Sequence, residues 1–277
     1  MKLVRATHAG DKKYGLVRDD HFIPVAAETF QSALTAAESG PPVPLSEVEF
    51  LAPVERPGKI LGIGVNYAAH AAESVSFRDV KKPEVQKWFN KQATAINDPY
   101  ADVELPKVSE QLDYEGELVV VIGKRGRHVP RERAFEIVAG VTIGCDYSVR
   151  DWQRASQTMI MGKGFDTHAP IGPAIVSLDE IPDLSALEVR TFVNGEQRQA
   201  GHVRDMVHDI PAQIAHLTAA FTLEPGDLIF TGTPAGVGAG FDPPKWLKAG
   251  DRVRVEIDGL GYIENQIVTE PGRTVIG

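Results

Sequence analysis

The sequence predicts a mostly-β protein of the α+β class, in which a small N-terminal β-rich domain precedes a larger domain. Short segments rich in Val and Ile alternate with polar turns along most of the chain, a pattern typical of strands joined by turns. The 26 Gly and 19 Pro among 277 residues supply many such turns. Breaks at Gly40-Pro41-Pro42 and between Pro53 and Pro57 separate the domains, which we place at residues 1–52 and 53–277.

The first elements follow from local signals. Residues 2–7, 14–18 and 21–24 are predicted as strands, and residues 29–38 as a short helix. In the second domain, residues 59–65 form an apolar strand that leads into a helix, which Asn66 is placed to cap.

The central strand is predicted over residues 112–123, where Val and Ile are dense and a Gly closes the segment. Residues 130–139 are predicted as a helix, because Pro130 lies in its first turn and Gly140 just past its end. Residues 141–146 form the next strand. The later elements are a helical turn near 150–154, a hairpin at 190–199 around Asn194-Gly195, a helix at 210–221 capped by Asp209, a strand at 228–230 and a hairpin at 252–268.

Composition excludes several classes of function. The net charge of −9, from 29 basic and 38 acidic residues, argues against a nucleic-acid or anionic-membrane surface. The single cysteine, Cys145, lies in an apolar strand and is expected in the core. No segment resembles a signal peptide or reaches the ~18–20 apolar residues of a membrane span. We therefore expect a cytoplasmic protein that binds neither nucleic acid nor membrane.

Three carboxylates lie at strand positions that can bring them together. Glu115 and Glu117 are two residues apart, so their side chains point to the same face of a strand. Asp146 follows the next predicted strand. Adjacent carboxylates repel unless a cation lies between them, and hard cations such as Mg²⁺, Mn²⁺ and Ca²⁺ take carboxylate oxygens. The alternative is a strand edge with its acids in solvent.

A second candidate group is the pair His70 and Glu73. They are three residues apart on a predicted helix and can hydrogen-bond. A carboxylate that orients an imidazole raises its basicity, which suits a general base. The alternative is an ordinary pair of polar residues on a helix surface.

Several donors for an anionic ligand follow along the chain. Arg150 and Gln153 share a helix face, and Lys163 lies between two glycines that allow close approach of a ligand. The loop Thr231-Gly232-Thr233 offers hydroxyls and backbone amides, although such a loop is also a common plain turn. Motifs of serine hydrolases, zinc proteases and nucleotide-binding loops are absent from the sequence.

Six blocks of the sequence together resemble the fumarylacetoacetate hydrolase family. They occur in family order between residues 59 and 268, at 64–73, 113–118, 144–153, 162–166, 193–196 and 231–238. The resemblance implies a catalytic domain of mixed, rolled β-sheets, usually in a homodimer, after a small N-terminal β-rich domain.

The resemblance also implies roles for the candidate residues. Mg²⁺ or Mn²⁺, with Ca²⁺ as a substitute, would be held by Glu115, Glu117 and Asp146. The helix with His70 and Glu73 would belong to a mobile lid that substrate orders. The expected catalytic residues are His70, Glu73 and Lys163, and the expected substrate-binding residues are Arg150, Gln153, Thr233, Gly232 and Tyr67.

The substrate is expected to be a 2-oxo or 2,4-dioxo acid, and three activities stay open. The main expectation is a metal-dependent hydrolase that cleaves a C–C bond of a 2,4-dioxo acid through a metal-stabilised pyruvate enolate, with His70 and Glu73 activating water. The alternative is a decarboxylase or isomerase of a 2-oxo dicarboxylic acid of the oxaloacetate or homoprotocatechuate-pathway type. A second alternative is an inactive family member that acts as a binding protein.

The segment at residues 77–92 carries an unusual number of basic side chains, at Arg78, Lys81, Lys82, Lys87 and Lys91. It is expected either to join the lid and recognise a second carboxylate or a larger tail, or to be a solvated charged loop.

Overall fold

A mixed sheet of 12 strands forms the centre of the part of the chain that the structure describes. The structure is a computed structural model, and it describes residues 1–74, 85–272, 274 and 276. The strands in chain order are β1 (Lys2–His8), β2 (Asp11–Arg18), β3 (His21–Pro24), β4 (Val43–Pro44), β5 (Glu49–Leu51), β6 (Ile60–Gly64), β7 (Lys87–Lys91), β8 (Ile96–Asn97), β9 (Val103–Leu105), β10 (Leu112–Asp113), β11 (Gly116–Ile122), β12 (Val138–Cys145), β13 (Ser148–Val149), β14 (Ala169–Val176), β15 (Glu188–Val193), β16 (Glu196–His202), β17 (Leu228–Phe230), β18 (Arg252–Ile257) and β19 (Gly261–Thr269).

Helices are few and short, so the predicted mostly-β class is confirmed. The α-helices of the described residues are α1 (Phe30–Ala33), α2 (Ala68–Ser74), α3 (Arg150–Ala155), α4 (Ile160–Lys163) and α5 (Ile210–Ala220). Single turns of 3-10 helix occur at Leu45–Glu47, Ala93–Ala95, Leu178–Glu180, Leu184–Ala186, Val203–Asp205 and Gly238–Gly240, and a longer one spans Arg131–Ile137. None of the helices described is long and apolar enough to span a membrane.

The large sheet contains strands from both of the predicted domains. The large sheet runs β4-β3-β2-β1-β14-β12-β11-β17-β6-β7, with β5 on β1 and β8 on β14, while a second sheet runs β16-β15-β18-β19-β9. A two-stranded pair, β10 and β13, lies apart from both. Because β1 pairs with β14, the N-terminal strands continue the sheet of the second region. The domain boundary at residue 52 stays a prediction.

Strand β11 lies between two hydrophobic clusters and is buried along its whole length. Leu118, Val120 and Ile122 face one cluster, and Val119 and Val121 face the other. Each such buried aliphatic side chain contributes roughly 1.5–3 kcal/mol of transfer free energy. Residues at the start of β11 are therefore held on a rigid support.

Several predicted elements are confirmed. The two hairpins are β15 with β16 and β18 with β19. Helix α5 begins after Asp209, whose carboxylate accepts a hydrogen bond from the Ala212 N–H at 2.9 Å. Cys145 is buried in β12, and burial raises the pKa of its thiol, as expected for a core cysteine.

Three predicted elements are wrong in extent or type. The strand predicted over 112–123 is broken at Tyr114 and Glu115, so that β10 pairs with β13 while β11 pairs with β12 and β17. The helix predicted over 130–139 is a 3-10 turn, and β12 already begins at Val138 because its residues complete the central sheet. The helix predicted over 29–38 is limited to the single turn α1.

Candidate metal centre and active site

Three carboxylates converge where β11 begins and β12 ends. Gly116 pairs with Cys145 across these strands, and the Glu115 carbonyl accepts a hydrogen bond from the Asp146 N–H at 2.8 Å. This register brings oxygens of Glu115, Glu117 and Asp146 within 4.8 Å of one another, and all three side chains are buried. The alternative of acids in solvent at a strand edge is wrong, since the strand is central.

Buried cations surround two of these carboxylates. Glu115 forms ion pairs with Arg150 Nη1 and Lys163 Nζ, each at 2.6 Å. Asp146 lies between two lysines, with Lys91 Nζ at 2.5 Å from Oδ1 and Lys163 Nζ in contact with Oδ2. Asp146 and Glu115 are therefore partly neutralised by the protein itself.

Glu117 has a different environment. Its Oε2 accepts a hydrogen bond from the Gly232 N–H at 2.7 Å, and no lysine or arginine among the described residues forms an ion pair with it. Burial, with the nearby charges of Asp146 and Glu115, raises the pKa of Glu117 well above its ordinary value. Burial also acts against ionisation of Glu115, yet Arg150, Lys163 and His70 hold its pKa well below the ordinary value.

This trio suits a divalent cation. Mg²⁺, Mn²⁺ and Ca²⁺ favour oxygen ligands, and a +2 charge would remove the mutual repulsion that raises the pKa of Glu117. All the candidate ligand atoms are carboxylate oxygens. The donor set therefore fits a hard cation.

The loop between β17 and β18 organises the site through backbone N–H groups. Besides the bond from Gly232 to Glu117, Gly238 and Ala239 donate to the carboxylate of Asp113 at 2.7 and 3.1 Å. Gly232 has a φ of +99°, and a Cβ there would lie 2.7 Å from Asn66 Cβ, so this turn requires glycine. The predicted loop thus donates backbone hydrogen bonds to carboxylates of the protein itself.

Asp113 extends the buried charge network behind the carboxylates. Its Oδ2 accepts a hydrogen bond from Arg150 Nε at 2.8 Å, while Arg150 Nη1 reaches Glu115 and also Gln153 Oε1 at 3.0 Å. These contacts hold Arg150 between two acids and leave its Nη2 without a partner among the described residues. Because these contacts hold the Arg150 guanidinium in place, Arg150 fixes the orientation of the Glu115 carboxylate.

The predicted dyad is formed and is buried. His70 Nδ1 lies 2.9 Å from Glu73 Oε2, and the other oxygen, Oε1, accepts a hydrogen bond from the Gly236 N–H at 2.9 Å. His70 is 5% exposed, so the alternative of a helix-surface pair is wrong. Because an ionised carboxylate only accepts, Nδ1 carries the proton and Nε2 of a neutral ring is an acceptor.

His70 of the dyad and two of the carboxylates line one small cavity. Its walls are formed by Ile63, Gly64, Val65, His70, Phe89, Glu115, Glu117, Gln153, Met159, Lys163 and Thr233. Apolar side chains from β6 and β7 thus face a cluster of charged ones. Such a cavity limits access of water to a small ligand.

Of the predicted substrate-binding residues, Gln153 and Thr233 line this cavity, whereas Arg150, Gly232 and Tyr67 are not among the residues that form its walls. Thr233 Oγ1 donates to the Gly116 carbonyl at 2.8 Å and accepts from Gln199 Nε2 at 2.7 Å. Tyr67 is buried, its hydroxyl has no partner among the described residues, and burial and the charge of Glu117 raise its pKa. Roles of these residues toward substrate stay predictions.

Sequence reasoning missed three supporting residues. Asn66 was expected to cap helix α2, yet α2 begins at Ala68 and the Asn66 side chain donates to the carbonyls of His208 and Thr231 at 3.0 and 2.8 Å. Gln199 and Asp113 contact the site from strands β16 and β10, and no local sequence pattern predicts that they do so. Only the tertiary fold brings them there.

Lys91 belongs to the charged segment at 77–92, for which one expectation is a solvated loop. That expectation is wrong for Lys91, which is 4% exposed. One signal was present: Lys91 is two residues from Phe89, so both share the buried face of β7. Lys87 is exposed. Arg78, Lys81 and Lys82 lie outside the described residues, and so does most of the predicted lid beyond α2.

Comparisons with known proteins match most of the chain. The family model described as "Fumarylacetoacetate (FAA) hydrolase C-terminal" matches residues 59–268, and one described as "Rv2993c-like, N-terminal" matches residues 1–53. The chain is 44% identical over 230 residues to the human oxaloacetate tautomerase FAHD2A, mitochondrial, a match that covers 82% of this chain and 72% of that protein.

Two further relatives are similar over most of their length. The oxaloacetate tautomerase YisK of Bacillus subtilis (strain 168) is 44% identical over 226 residues, which is 80% of this chain and 74% of that protein. The crystal structure of a 5-carboxymethyl-2-hydroxymuconate delta-isomerase from Mycobacterium smegmatis has a TM-score of 0.84 at 35% identity, covering 98% of this chain and 100% of that one.

Proposed function

The chain belongs to the fumarylacetoacetate hydrolase family, and on that premise we propose that it is a divalent-metal-dependent enzyme that moves a proton at carbon 3 of a 2-oxo dicarboxylic acid, oxaloacetate being the first substrate to test. One observation carries the proposal. His70, which is paired with Glu73, lies in the wall of the same cavity as Glu115 and Glu117, two carboxylates of the cluster. That arrangement unites a proton-transfer group with a site for charge stabilisation.

The relatives support proton transfer over C–C hydrolysis. Both curated relatives described above are named oxaloacetate tautomerases, and the solved structure is named an isomerase. The expected C–C bond hydrolase therefore gives way to its alternative as our main proposal. A binding protein without activity is disfavoured, because His70, Glu73, Lys163 and the three carboxylates form one connected site.

Glu115, Glu117 and Asp146 would hold the cation, and Mg²⁺ and Mn²⁺ both suit their oxygens. When bound, the cation supplies Lewis-acid stabilisation of negative charge on the 2-oxo oxygen, typically worth several kcal/mol. Arg150 and Lys91 form ion pairs with Glu115 and Asp146 and fix the orientation of these two carboxylates.

His70 Nε2 is the proton-transfer atom in this proposal. Nδ1 keeps its proton and donates a hydrogen bond to Glu73, which leaves the Nε2 lone pair to take the proton from carbon 3 and to return it in the reverse direction. The Lys163 ammonium lines the cavity and donates to the oxygen where negative charge develops. Ile63, Val65 and Phe89 limit access of water to the reacting carbon.

The test follows the ultraviolet absorbance of enol oxaloacetate in the presence of Mg²⁺. We expect His70→Ala to slow tautomerisation by about 10²–10⁴-fold, the usual contribution of a general acid–base group, with unchanged Mn²⁺ binding. His216→Ala, an exposed histidine on α5, is the matched control.

A substrate panel separates the remaining activities. Acetylpyruvate, fumarylpyruvate and a sugar-derived 2,4-dioxo acid report C–C hydrolysis, and pyruvate formed from oxaloacetate reports decarboxylation. If the protein cleaves an acylpyruvate faster than it tautomerises oxaloacetate, C–C bond hydrolysis is its main activity and our proposal is wrong. A full tautomerisation rate in His70→Ala would remove the dyad from the mechanism. The homodimer and the cytoplasmic location stay predictions of the sequence.

A further inference from the structure

Lys91 is a lysine whose side chain has no exposed surface. Its Nζ lies 2.5 Å from Asp146 Oδ1 and 3.1 Å from the Tyr147 carbonyl oxygen. A fully buried ammonium is rare in proteins unless it is paired. Both of these acceptors belong to the turn that follows β12, so Lys91 fixes this turn.

The inward face of β7 contacts Asp146 and its second lysine. Phe89 and Lys91 are buried on that face, and the Lys163 Nζ lies 4.7 Å from the centroid of the Phe89 ring. Lys163 in turn contacts the second oxygen of Asp146. The two lysines therefore bind opposite oxygens of one carboxylate.

The two lysines differ in what else they can reach. Lys163 lines the cavity beside His70, whereas Lys91 is not among the residues that line it. Since the Lys91 ammonium contacts Asp146 and the Tyr147 carbonyl, its effect on a cation held by the three carboxylates passes through Asp146. Lys91 has the position of an outer partner of a metal-ligating carboxylate, a kind of partner that orients the ligand.

We propose that Lys91 is a positioning residue that holds Asp146 through Oδ1 and so keeps this carboxylate in the orientation in which it faces Glu115 and Glu117. This inference rests on the proposed metal-dependent function. It assigns the two lysines separate tasks, Lys91 the geometry of the cation site and Lys163 the substrate side.

The experiment measures Mn²⁺ binding to metal-free protein by calorimetry, without substrate. Lys91→Met keeps the length of the side chain and removes the charge and the donor, and we expect the Mn²⁺ Kd to rise about 10- to 100-fold, as for other outer partners of metal ligands. Lys91→Gln keeps an N–H donor and should give an intermediate Kd. Lys87→Met, an exposed lysine on the same strand, is the control and should bind as the wild type does.

Kinetics separate positioning from substrate contact. At Mn²⁺ concentrations that saturate each variant, kcat and KM for oxaloacetate should return close to wild-type values. A raised KM with an unchanged Mn²⁺ Kd would overturn the proposal, because Lys91 would then touch substrate. Tighter Mn²⁺ binding in Lys91→Met would also overturn it, since Lys91 would then act only as an opposing charge.

Two further outcomes also bear on the proposal. If Lys91→Met fails to fold by circular dichroism, Lys91→Gln decides, and a wild-type Kd in that variant overturns the proposal. If the wild type binds no Mn²⁺, the metal-dependent function fails first and this inference falls with it. Failure of the inference alone shows as equal Kd values in the wild type and the folded variants.

Discussion

Glu117 is the carboxylate of the site that the protein itself neutralises least. Glu115 and Asp146 have lysine or arginine partners, whereas Glu117 accepts a backbone N–H from Gly232. Its pKa is raised by burial and by its two acidic neighbours. In metal-free protein an ionised Glu117 is therefore a source of strain in the folded state, which a bound cation would relieve.

We predict that Glu117→Gln stabilises the metal-free protein at neutral pH while it weakens cation binding. A carboxyl whose folded-state pKa is raised contributes stability below its unfolded pKa, and that contribution is lost as the pH rises. The wild type should therefore lose unfolding free energy relative to Glu117→Gln by about 1.4 kcal/mol per pH unit between the ordinary and the raised pKa. Urea denaturation in EDTA from pH 4 to pH 8 measures this difference.

Glu115→Gln is the matched control two residues away, because its pKa shift has the opposite sign. It leaves Arg150 and Lys163 with a lost partner and should destabilise the protein by roughly 3–5 kcal/mol, as breaking a buried ion pair does. Destabilisation by both substitutions, with no pH trend for Glu117→Gln, would contradict our description of the charges.

At the scale of elements, local signals predicted the strands well and their ends less well. Val and Ile density located β11, and Asn194-Gly195 located the hairpin of β15 and β16. The break before β11 was missed because its cause is remote in sequence. Asp113 is bound by Gly238 and Ala239, which are 125 and 126 residues away, and no pattern within 112–123 records that contact.

Helix α2 is attached to the loop between β17 and β18 through Glu73. The Gly236 N–H binds Glu73 Oε1, and Gly240 packs so closely that a Cβ there would lie 2.2 Å from the same oxygen. The loop thus holds both the dyad, through Glu73, and the carboxylate cluster, through Glu117. A change at Gly240 should therefore affect α2 separately from the metal centre.

We predict that Gly240→Ala lowers kcat for tautomerisation by about as much as loss of the dyad, roughly 10²-fold or more. The added methyl group displaces the Glu73 carboxylate and leaves His70 without its orienting partner. Mn²⁺ affinity, measured by calorimetry, should stay at the wild-type value because the three carboxylates are untouched.

Gly40→Ala is the control for this substitution, since a Cβ at Gly40 meets only ordinary contacts, with Pro24 Cγ at 3.5 Å. Wild-type kcat in Gly240→Ala would mean that the dyad operates without the attachment to the loop. A parallel loss of Mn²⁺ affinity would mean that the loop, rather than Glu73, transmits the change.

At the scale of the whole molecule, the site is assembled from segments far apart in sequence. His70, Glu115, Asp146 and Lys163 were predicted because they occur together, in sequence blocks that jointly resemble a family, although none of the local patterns is specific alone. Lys91 was not predicted as a site residue, because a lysine in a charged segment is expected at the surface. Only the packing of β7 against the turn after β12 buries it. Burial of single charged residues depends on tertiary packing, and one sequence carries little information about it.

This assembly predicts that a divalent cation stabilises the whole fold. The carboxylate cluster joins the start of β11, the end of β12, helix α4 through Lys163 and the β17–β18 loop through Gly232. A ligand of the folded state alone at 100 times its Kd adds about 2.7 kcal/mol to the unfolding free energy. Because 1 kcal/mol moves the Tm of domains of this size class by about 2–4 °C, Mn²⁺ should raise the Tm by roughly 5–10 °C.

Differential scanning calorimetry with Mn²⁺ and then with excess EDTA measures this shift, which EDTA should reverse. Asp146→Asn is the informative variant, since it replaces one carboxylate oxygen by an amide nitrogen and removes the negative charge that pairs with both Lys91 and Lys163. Its Tm without metal should be lower than that of the wild type, and Mn²⁺ should leave it unchanged. An equal Mn²⁺ shift in Asp146→Asn would place the cation elsewhere in the molecule, because only the cluster of Glu115, Glu117 and Asp146 depends on that carboxylate.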